Sequence, residues 1–237
     1  MISAPAEKAK KDAGFHAANL VKDGMILGLG TGSTTYHAMV RLSARRKEEH
    51  LSIAGVPTSL QTAIRARDLG IPLTTLDDHP TIDMAIDGAD QVDPILRLIK
   101  GRGAALTREK VVAEAAGRLV IVVDEGKLVT NLTGVVPVEV IPFAITPVMK
   151  RITGMGADPL IREGNAKDGP VITDNGNYIL DCSFSGIVNP GELEDTITAI
   201  PGVVECGLFC NYTGKTTVII GGEKGCRVVD GRKNQEI

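Results

Sequence analysis

The chain has 237 residues, 43% of them hydrophobic and 23% charged, with a formal net charge of −3. That composition is ordinary for a globular chain holding one large domain, or one domain with a smaller companion, and it excludes a disordered chain. There is no basic surplus to favour nucleic acid, aromatics at 3% without Trp argue against stacking platforms, and no apolar run reaches the roughly 18 residues that span a bilayer.

Met1 to Lys11 contains no apolar leader-like segment, so a cytoplasmic location is expected. Residues Glu7 to Asp23 read as a helix, with Ala13, Ala17, Leu20 and Val21 on one stripe. Met25–Gly30 reads as a strand, Thr31–Thr35 as a hydroxyl-rich turn, and a helix runs on to about Arg46. Strands are expected at Leu51–Val56, Leu73–Leu76, Thr81–Asp87, Ile95–Ile99 and Leu119–Val123, with helices at Ser59–Leu69 and Leu106–Gly117. Strands rich in Val, Ile and Leu that alternate with helices predict a parallel sheet covered on both faces.

After Lys127 the pattern changes. Val135–Pro142, Pro159–Glu163, Tyr178–Phe184 and Val203–Phe209 read as strands, Pro147–Met155 and Pro190–Ile200 as helices. The order β-α-β-β-α-β is that of a ferredoxin-like unit. Thr216–Ile220 is a last strand that returns to the first domain, and the polar, Gly-rich tail from Gly221 reads as loose. The fold expected is α/β: a Rossmann-like parallel-sheet domain (1–131 plus about 208–237) with a smaller ferredoxin-like α+β domain (132–207).

Cys182, Cys206, Cys210 and Cys226 form no CxxC pair, although Cys206 and Cys210 would share a face of one strand. No His lies near them in sequence. Buried thiols are the better reading, because zinc would need ligands from scattered places.

The chemistry concentrates at strand ends. Gly28–Leu29–Gly30–Thr31–Gly32–Ser33 is not a dinucleotide fingerprint, since Ser33 stands where the third glycine belongs and no acid ends the next strand. Nor is it a P-loop. It is a compact set of backbone N–H groups with the hydroxyls of Thr31, Ser33 and Thr34, suited to one terminal phosphate. A plain strand-to-helix turn with a hydroxyl cap is the simpler alternative.

Ile82–Ile86 ends in Asp87 and Asp90, split by Gly88 and Ala89. These acids can accept hydrogen bonds from sugar hydroxyls or relay protons. Structurally, Asp90 could cap a turn and Asp87 could pair with Lys100. Magnesium is a further alternative, but no other acid cluster lies close in sequence. Lys100 precedes Gly101, Arg102 and Gly103 and is placed either to balance an anion or merely to close a strand. Glu109 near a helix start is accounted for by the helix dipole, and as a catalytic group it would be a general base. Lys127 falls at the end of the next strand. Together these residues describe a metal-independent site for a small phosphorylated, polyhydroxylated ligand.

Gly28–Thr34, Ile86–Asp90, Ile99–Gly101, Ala105–Lys110 and Asp174–Asn177, in this order from about residue 8 to residue 221, resemble ribose-5-phosphate isomerase, type A. The resemblance implies interconversion of ribose 5-phosphate and ribulose 5-phosphate in the non-oxidative pentose phosphate pathway, without a cofactor or metal. It implies that Thr31, Gly32, Ser33 and Thr34 hold the phosphate. It implies that Asp87, Gly88, Ala89, Asp90, Lys100, Gly101, Arg102 and Gly103 line the sugar, and that Lys127 contacts substrate. It makes Glu109 the proton acceptor, Lys100 a stabiliser of oxygen charge and Asp87 the carrier of hydroxyl protons. It also suggests a homodimer or homotetramer.

Two departures from the family pattern stand out: Gln91 in place of the usual Glu, and Arg102 within a stretch that is usually all glycine. A non-catalytic sugar-phosphate sensor on the same fold is the alternative function. A sensor of transcriptional type would carry a DNA-binding helix-turn-helix, and the chain starts almost directly with the first α/β helix. A further alternative is another reaction on this fold, such as acyl-CoA transfer or amino-sugar phosphate deamination.

Overall fold

The computed structural model describes residues 4–166 and 168–231. They fall into two compact units. The first takes the chain up to Ala89, Arg108–Leu128 and the chain from Tyr212; the second takes Asp90–Thr107 and Val129–Asn211. In chain order the elements are α1 (Ala4–Asn19), β1 (Ile26–Leu29), α2 (Ser33–Glu48), β2 (Ala54–Pro57), α3 (Leu60–Asp68), β3 (Met84–Asp87), β4 (Gln91–Val92) and β5 (Leu98–Ile99). Then come α4 (Leu106–Ala115), β6 (Leu119–Asp124), β7 (Gly134–Val140), α5 (Ile145–Thr153), β8 (Ala157–Ile161), β9 (Tyr178–Phe184) and α6 (Pro190–Thr198). The last are β10 (Val203–Cys206), β11 (Leu208–Phe209), β12 (Thr216–Gly222) and β13 (Gly225–Asp230).

The first unit is a six-stranded sheet in the order β13-β12-β6-β3-β1-β2. Its five strands other than β13 run parallel. Numbered among themselves, these five lie in the order 2-1-3-4-5, so the order reverses between β1 and β3. Leu27, Leu29, Met84 and Ile86 point into one core with Ala13 and Ala17 of α1, Met39 and Leu42 of α2 and Ala66 of α3. Each such side chain, fully buried, contributes roughly 1.5–3 kcal/mol if it is as large as Leu or Ile. Gly28 and Ala85 alternate onto the opposite face. There a Cβ on Gly28 would run into Val112, so α4 packs closely on that side.

The second unit holds an antiparallel sheet in the order β10-β7-β9-β8. In sequence terms that is 4-1-3-2, the ferredoxin-like arrangement of β-α-β-β-α-β. Val136, Val138, Val140, Leu180 and Cys182 of the sheet pack with Val148 and Ile152 of α5 and Ile197 of α6. A separate small sheet, β11-β5-β4, completes the unit.

The structure differs from the sequence expectations at several places, and the strand expected over Ile95–Ile99 is confined to Leu98–Ile99. The tail is not loose from Gly221: β13 pairs antiparallel with β12 from Thr217↔Asp230 to Gly222↔Gly225. Leu73–Leu76 is not a strand and makes only a bridge, Gly55↔Leu73. The strand expected over Val203–Phe209 breaks at Gly207 into β10 and β11, which belong to different sheets, so Cys206 and Cys210 do not share one strand. Residues 90–107 pack with the second unit rather than the first, because β5 pairs with β11 and the Lys100 N–H donates to Gly207 O at 2.8 Å. For the same reason the second unit runs on to Asn211, past the expected limit at 207.

Candidate active site

In doubly wound sheets ligands bind beyond the carboxyl ends of the strands, where the strand order reverses. In the first unit that point lies between β1 and β3, and the turn after β1 meets Asp87 there. The Gly30 N–H donates to Ile86 O at 2.9 Å, and the Thr31 N–H donates to Asp87 Oδ1 at 3.2 Å. The Gly88 N–H donates to the same oxygen at 2.8 Å. Asp87, 3% exposed, is thus fixed by two backbone donors at the sheet edge.

The Thr31 side chain belongs to a cluster of hydroxyls. Its hydroxyl shares hydrogen bonds with Thr58 (2.9 Å), Ser59 (2.8 Å) and Thr62 (3.2 Å). Thr62 donates in turn to Gly30 O at 3.0 Å, and Ser59 caps α3 through the Thr62 N–H. This cluster braces the turn from below. Sequence reading missed it because its members lie some 27 to 31 residues from Thr31; the run Thr58–Ser59 before a helix was the signal for the cap alone.

Gly32, Ser33 and Thr34 follow at the start of α2. The N-cap of α2 is Gly32, and no side chain caps the helix. The first N–H groups of a helix have no intrahelical partner and carry the positive end of its dipole. Gly32 has φ +134°, and a Cβ there would meet nothing within 4 Å. Space is therefore open where a Gly32 side chain would stand.

Glu109 stands in the first turn of α4 and is 5% exposed. The far end of α4 is tied to the start of β3: the Ile82 N–H donates to Ala115 O at 3.0 Å, and Ile82 bridges Ala116. The helix thus runs against the strand direction, and its first turn lies toward the carboxyl edge. Glu109 is three residues before Val112, which packs on Gly28, so both occupy the sheet-facing side. Lys127 sits in a 3-10 turn directly after β6, at that same edge, where Asp124 caps the turn through the Gly126 N–H at 3.0 Å. The first unit therefore gathers Gly32–Thr34, Asp87, Glu109 and Lys127 at one sheet edge. Asp83, by contrast, accepts the Ile26 N–H at 2.8 Å and serves the fold.

In the second unit the Asp90 N–H donates to Ile99 O at 2.8 Å, and Asp90 Oδ2 accepts the Arg102 N–H at 3.0 Å. Lys100 is 3% exposed, with its ammonium 5.5 Å from the centre of the Phe209 ring. Gly101 has φ +110°, and a Cβ there would press on Leu106 and Pro137. Arg162 grips this loop, donating to Gly101 O at 2.8 Å and Arg102 O at 3.1 Å while it pairs with Asp181 at 2.5 and 2.9 Å. Sequence reading missed Arg162 altogether. Gln91 donates to Thr133 O at 2.9 Å and accepts the Thr133 N–H at 3.0 Å, a pair of bonds that an ionised Glu could not complete. Among the described residues, no three His, Cys, Asp or Glu side chains gather as metal ligands.

The family model described as ribose 5-phosphate isomerase A (phosphoriboisomerase A) matches residues 54–225. The chain is 60% identical over 221 residues to the ribose-5-phosphate isomerase A of Methanoregula boonei, covering 93% of each chain. It is 52% identical over 219 residues to that of Thermosynechococcus vestitus, covering 91% of this chain and 90% of the other. The solved structure of ribose 5-phosphate isomerase A from Methanocaldococcus jannaschii is 44% identical with a TM-score of 0.90, covering 94% of this chain and 99% of that one. A D-ribose-5-phosphate isomerase solved in complex with phospho-erythronic acid has a TM-score of 0.91 at 44% identity, covering 95% of this chain and 99% of that one.

Proposed function

The chain belongs to the ribose 5-phosphate isomerase A family, and we infer from this that it interconverts D-ribose 5-phosphate and D-ribulose 5-phosphate through an enediol(ate), with Glu109 as the base. The observation that carries the assignment of the base is the placement of Glu109: buried, on the sheet-facing side of α4, toward the edge that also holds the uncapped start of α2 and Asp87. The phospho-erythronic acid of the solved relative is itself a phosphorylated, hydroxylated chain with a carboxylate, consistent with a seat for phosphate and hydroxyls.

The chemistry assigns each residue a task. The carboxylate of Glu109 takes the proton from C2 of the open-chain aldose, and the electrons move into the C1–C2 bond and onto O1. The same carboxylate returns the proton to C1, since the two carbons are neighbours. Meanwhile O1 must gain a proton and O2 must lose one; Asp87 carries that exchange, as well as the proton transfer of ring opening. Lys100 balances charge on the oxygens. Backbone N–H groups of Gly32, Ser33 and Thr34, with the Ser33 and Thr34 hydroxyls, hold the phosphate. Thr31 contributes by shaping the turn rather than by its hydroxyl. Family likeness adds Gly88, Ala89, Asp90, Gly101, Arg102, Gly103 and Lys127 to the substrate-binding set. No cofactor enters any of these steps.

The cytoplasm suits four cysteines that are all free thiols. A homodimer or homotetramer suits the second unit, where Phe143 is 96% exposed beside Ile141, and Val204 lies on the edge strand β10. Light scattering that gave only the monomer mass would refute self-association. The reaction is tested by turnover of ribose 5-phosphate with EDTA present. Wild type is expected to stay active, and Glu109→Gln to lose at least about a hundredfold, the scale of a lost general base. Full activity in Glu109→Gln would overturn the assignment of the base.

A further inference from the structure

Glu139 is a buried carboxylate that takes no part in the proton transfers. It lies in β7, whose Val136, Val138 and Val140 point into the helix-covered core, so Glu139 falls on the other face of the sheet. It is 0% exposed. A charge buried this deeply needs dense hydrogen bonding to persist, and apolar side chains would fill the same space at less cost.

The donors around it are all neutral and come from two places. Oε1 accepts Thr173 Oγ1 at 2.8 Å, Asn175 Nδ2 at 3.0 Å and Asn177 Nδ2 at 2.8 Å. Oε2 accepts Thr107 Oγ1 at 2.6 Å. The turn that supplies the first three is itself tied together. Thr173 Oγ1 accepts the N–H groups of Asn175 (3.2 Å) and Asn177 (3.1 Å), and the Thr173 N–H donates to Asn177 O at 2.9 Å. Gly176, at φ +80°, closes that turn. The motif Asp174–Asn175–Gly176–Asn177 thus has a physical purpose: two of its amides and the preceding Thr fix one oxygen of Glu139, which sets the direction of the other.

Thr107 is the second residue of α4. Glu109 stands two residues on, about 200° around the helix axis. A short hydrogen bond on one side of the first turn therefore fixes the rotation and height at which the opposite side presents its carboxylate. We propose that Glu139 is a positioning residue for the isomerisation: through Thr107 it pins the first turn of α4 and so sets the direction of the Glu109 carboxylate. This rests on Glu109 being the base.

The test uses the full-length protein with ribose 5-phosphate as substrate. Thr107→Val keeps the shape and removes the donor. It is expected to lower kcat about tenfold with KM within about twofold, the signature of a base held slightly out of line. Thr107→Ala, a better helix former that also lacks the hydroxyl, should behave alike, and it decides the matter if the valine variant does not fold. Thr107→Ser keeps the donor and should recover kcat to within about threefold. Asn177→Ala removes one of three bonds on Oε1; Thr173 and Asn175 still direct the carboxylate, and Thr107 keeps its own bond. It should lower Tm yet keep kcat within about twofold. Wild-type kcat in the folded donor-deletion variants would overturn the proposal, as would a kcat that falls in step with Tm across all four variants. If Glu109→Gln is inactive while Thr107→Val is unaffected, this inference alone fails. If Glu109→Gln is fully active, the assignment of the base fails and this inference with it.

Discussion

Asp87 Oδ1 accepts the backbone N–H of Thr31 at 3.2 Å and so ties the end of β3 to the turn after β1, where the strand order of the sheet reverses. The tie is possible because Gly30 has no side chain. A Cβ at Gly30 would collide with the carboxylate and the Cα of Asp87. Gly30→Ala must therefore push Asp87 off Thr31 or distort the turn. The expected result is a fall of at least about tenfold in kcat/KM for ribose 5-phosphate, the scale of a small misplacement in a site, with an unchanged circular dichroism spectrum. Wild-type kcat/KM in this variant would mean that Asp87 need not be held here, and would remove it from the proton exchange.

Asp87 also marks the limit of what the sequence reveals. An apolar strand that ends in acids, next to a glycine turn that opens a helix, pointed to this sheet edge, and the structure brings the two together. Local pattern was enough because each piece is continuous in sequence. Glu109 was different: in the first turn of a helix an acid is accounted for by the dipole alone, and only the packing of Val112 on Gly28 gives it a direction. The three-stranded sheet was out of reach for another reason. β5 and β11 are two residues each and lie more than a hundred residues apart, so a pattern could suggest strands but not their partners. That pairing carries 90–107 into the second unit. β13 was missed because Gly221–Gly225 reads as a polar loop, whereas it forms the end of a hairpin held by the buried strand β12.

Arg162 holds the loop that contains Lys100 and Arg102. Its guanidinium makes four hydrogen bonds: two to Asp181 and one each to Gly101 O and Arg102 O. Lysine carries the charge but not the planar fork, so it cannot reproduce this set. Arg162→Lys should lose about 1–3 kcal/mol of stability in urea titration, from carbonyls left without a donor. If the loop lines the sugar, KM for ribose 5-phosphate should rise severalfold while Glu109 keeps its task and kcat changes less. An Arg162→Lys protein with unchanged KM and unchanged stability would show that the loop holds its shape without this grip.

The cysteines give a prediction that depends on pH. Burial, then the charges of Asp181 and the neighbouring Cys206, push the Cys182 thiol up to about 12. Burial, then Glu194, pushes Cys210 up to about 12 as well. Cys226 is raised by burial and then by Asp12, but it is only half-buried, on β13. The thiolate is the reacting form, so at pH 8 the folded protein holds Cys182 and Cys210 almost wholly as unreactive thiols. Iodoacetamide at pH 8, followed by peptide mapping, should therefore modify Cys226 well before Cys182 and Cys210, and denaturation should expose all four. The sign of the stability effect follows from the same shifts. An unfolded thiol loses its proton near its ordinary value, whereas the folded Cys182 and Cys210 keep theirs to about 12. Over that window the folded state binds more protons, so the stability these thiols contribute is intact below the ordinary thiol pKa and is lost as pH rises through it toward 12. Urea midpoints that fall between pH 9 and pH 11 in wild type, and fall less in Cys182→Ala, would agree with this. Equal labelling of all four cysteines in the native protein at pH 8 would contradict the packing of Cys182 between β7 and β8.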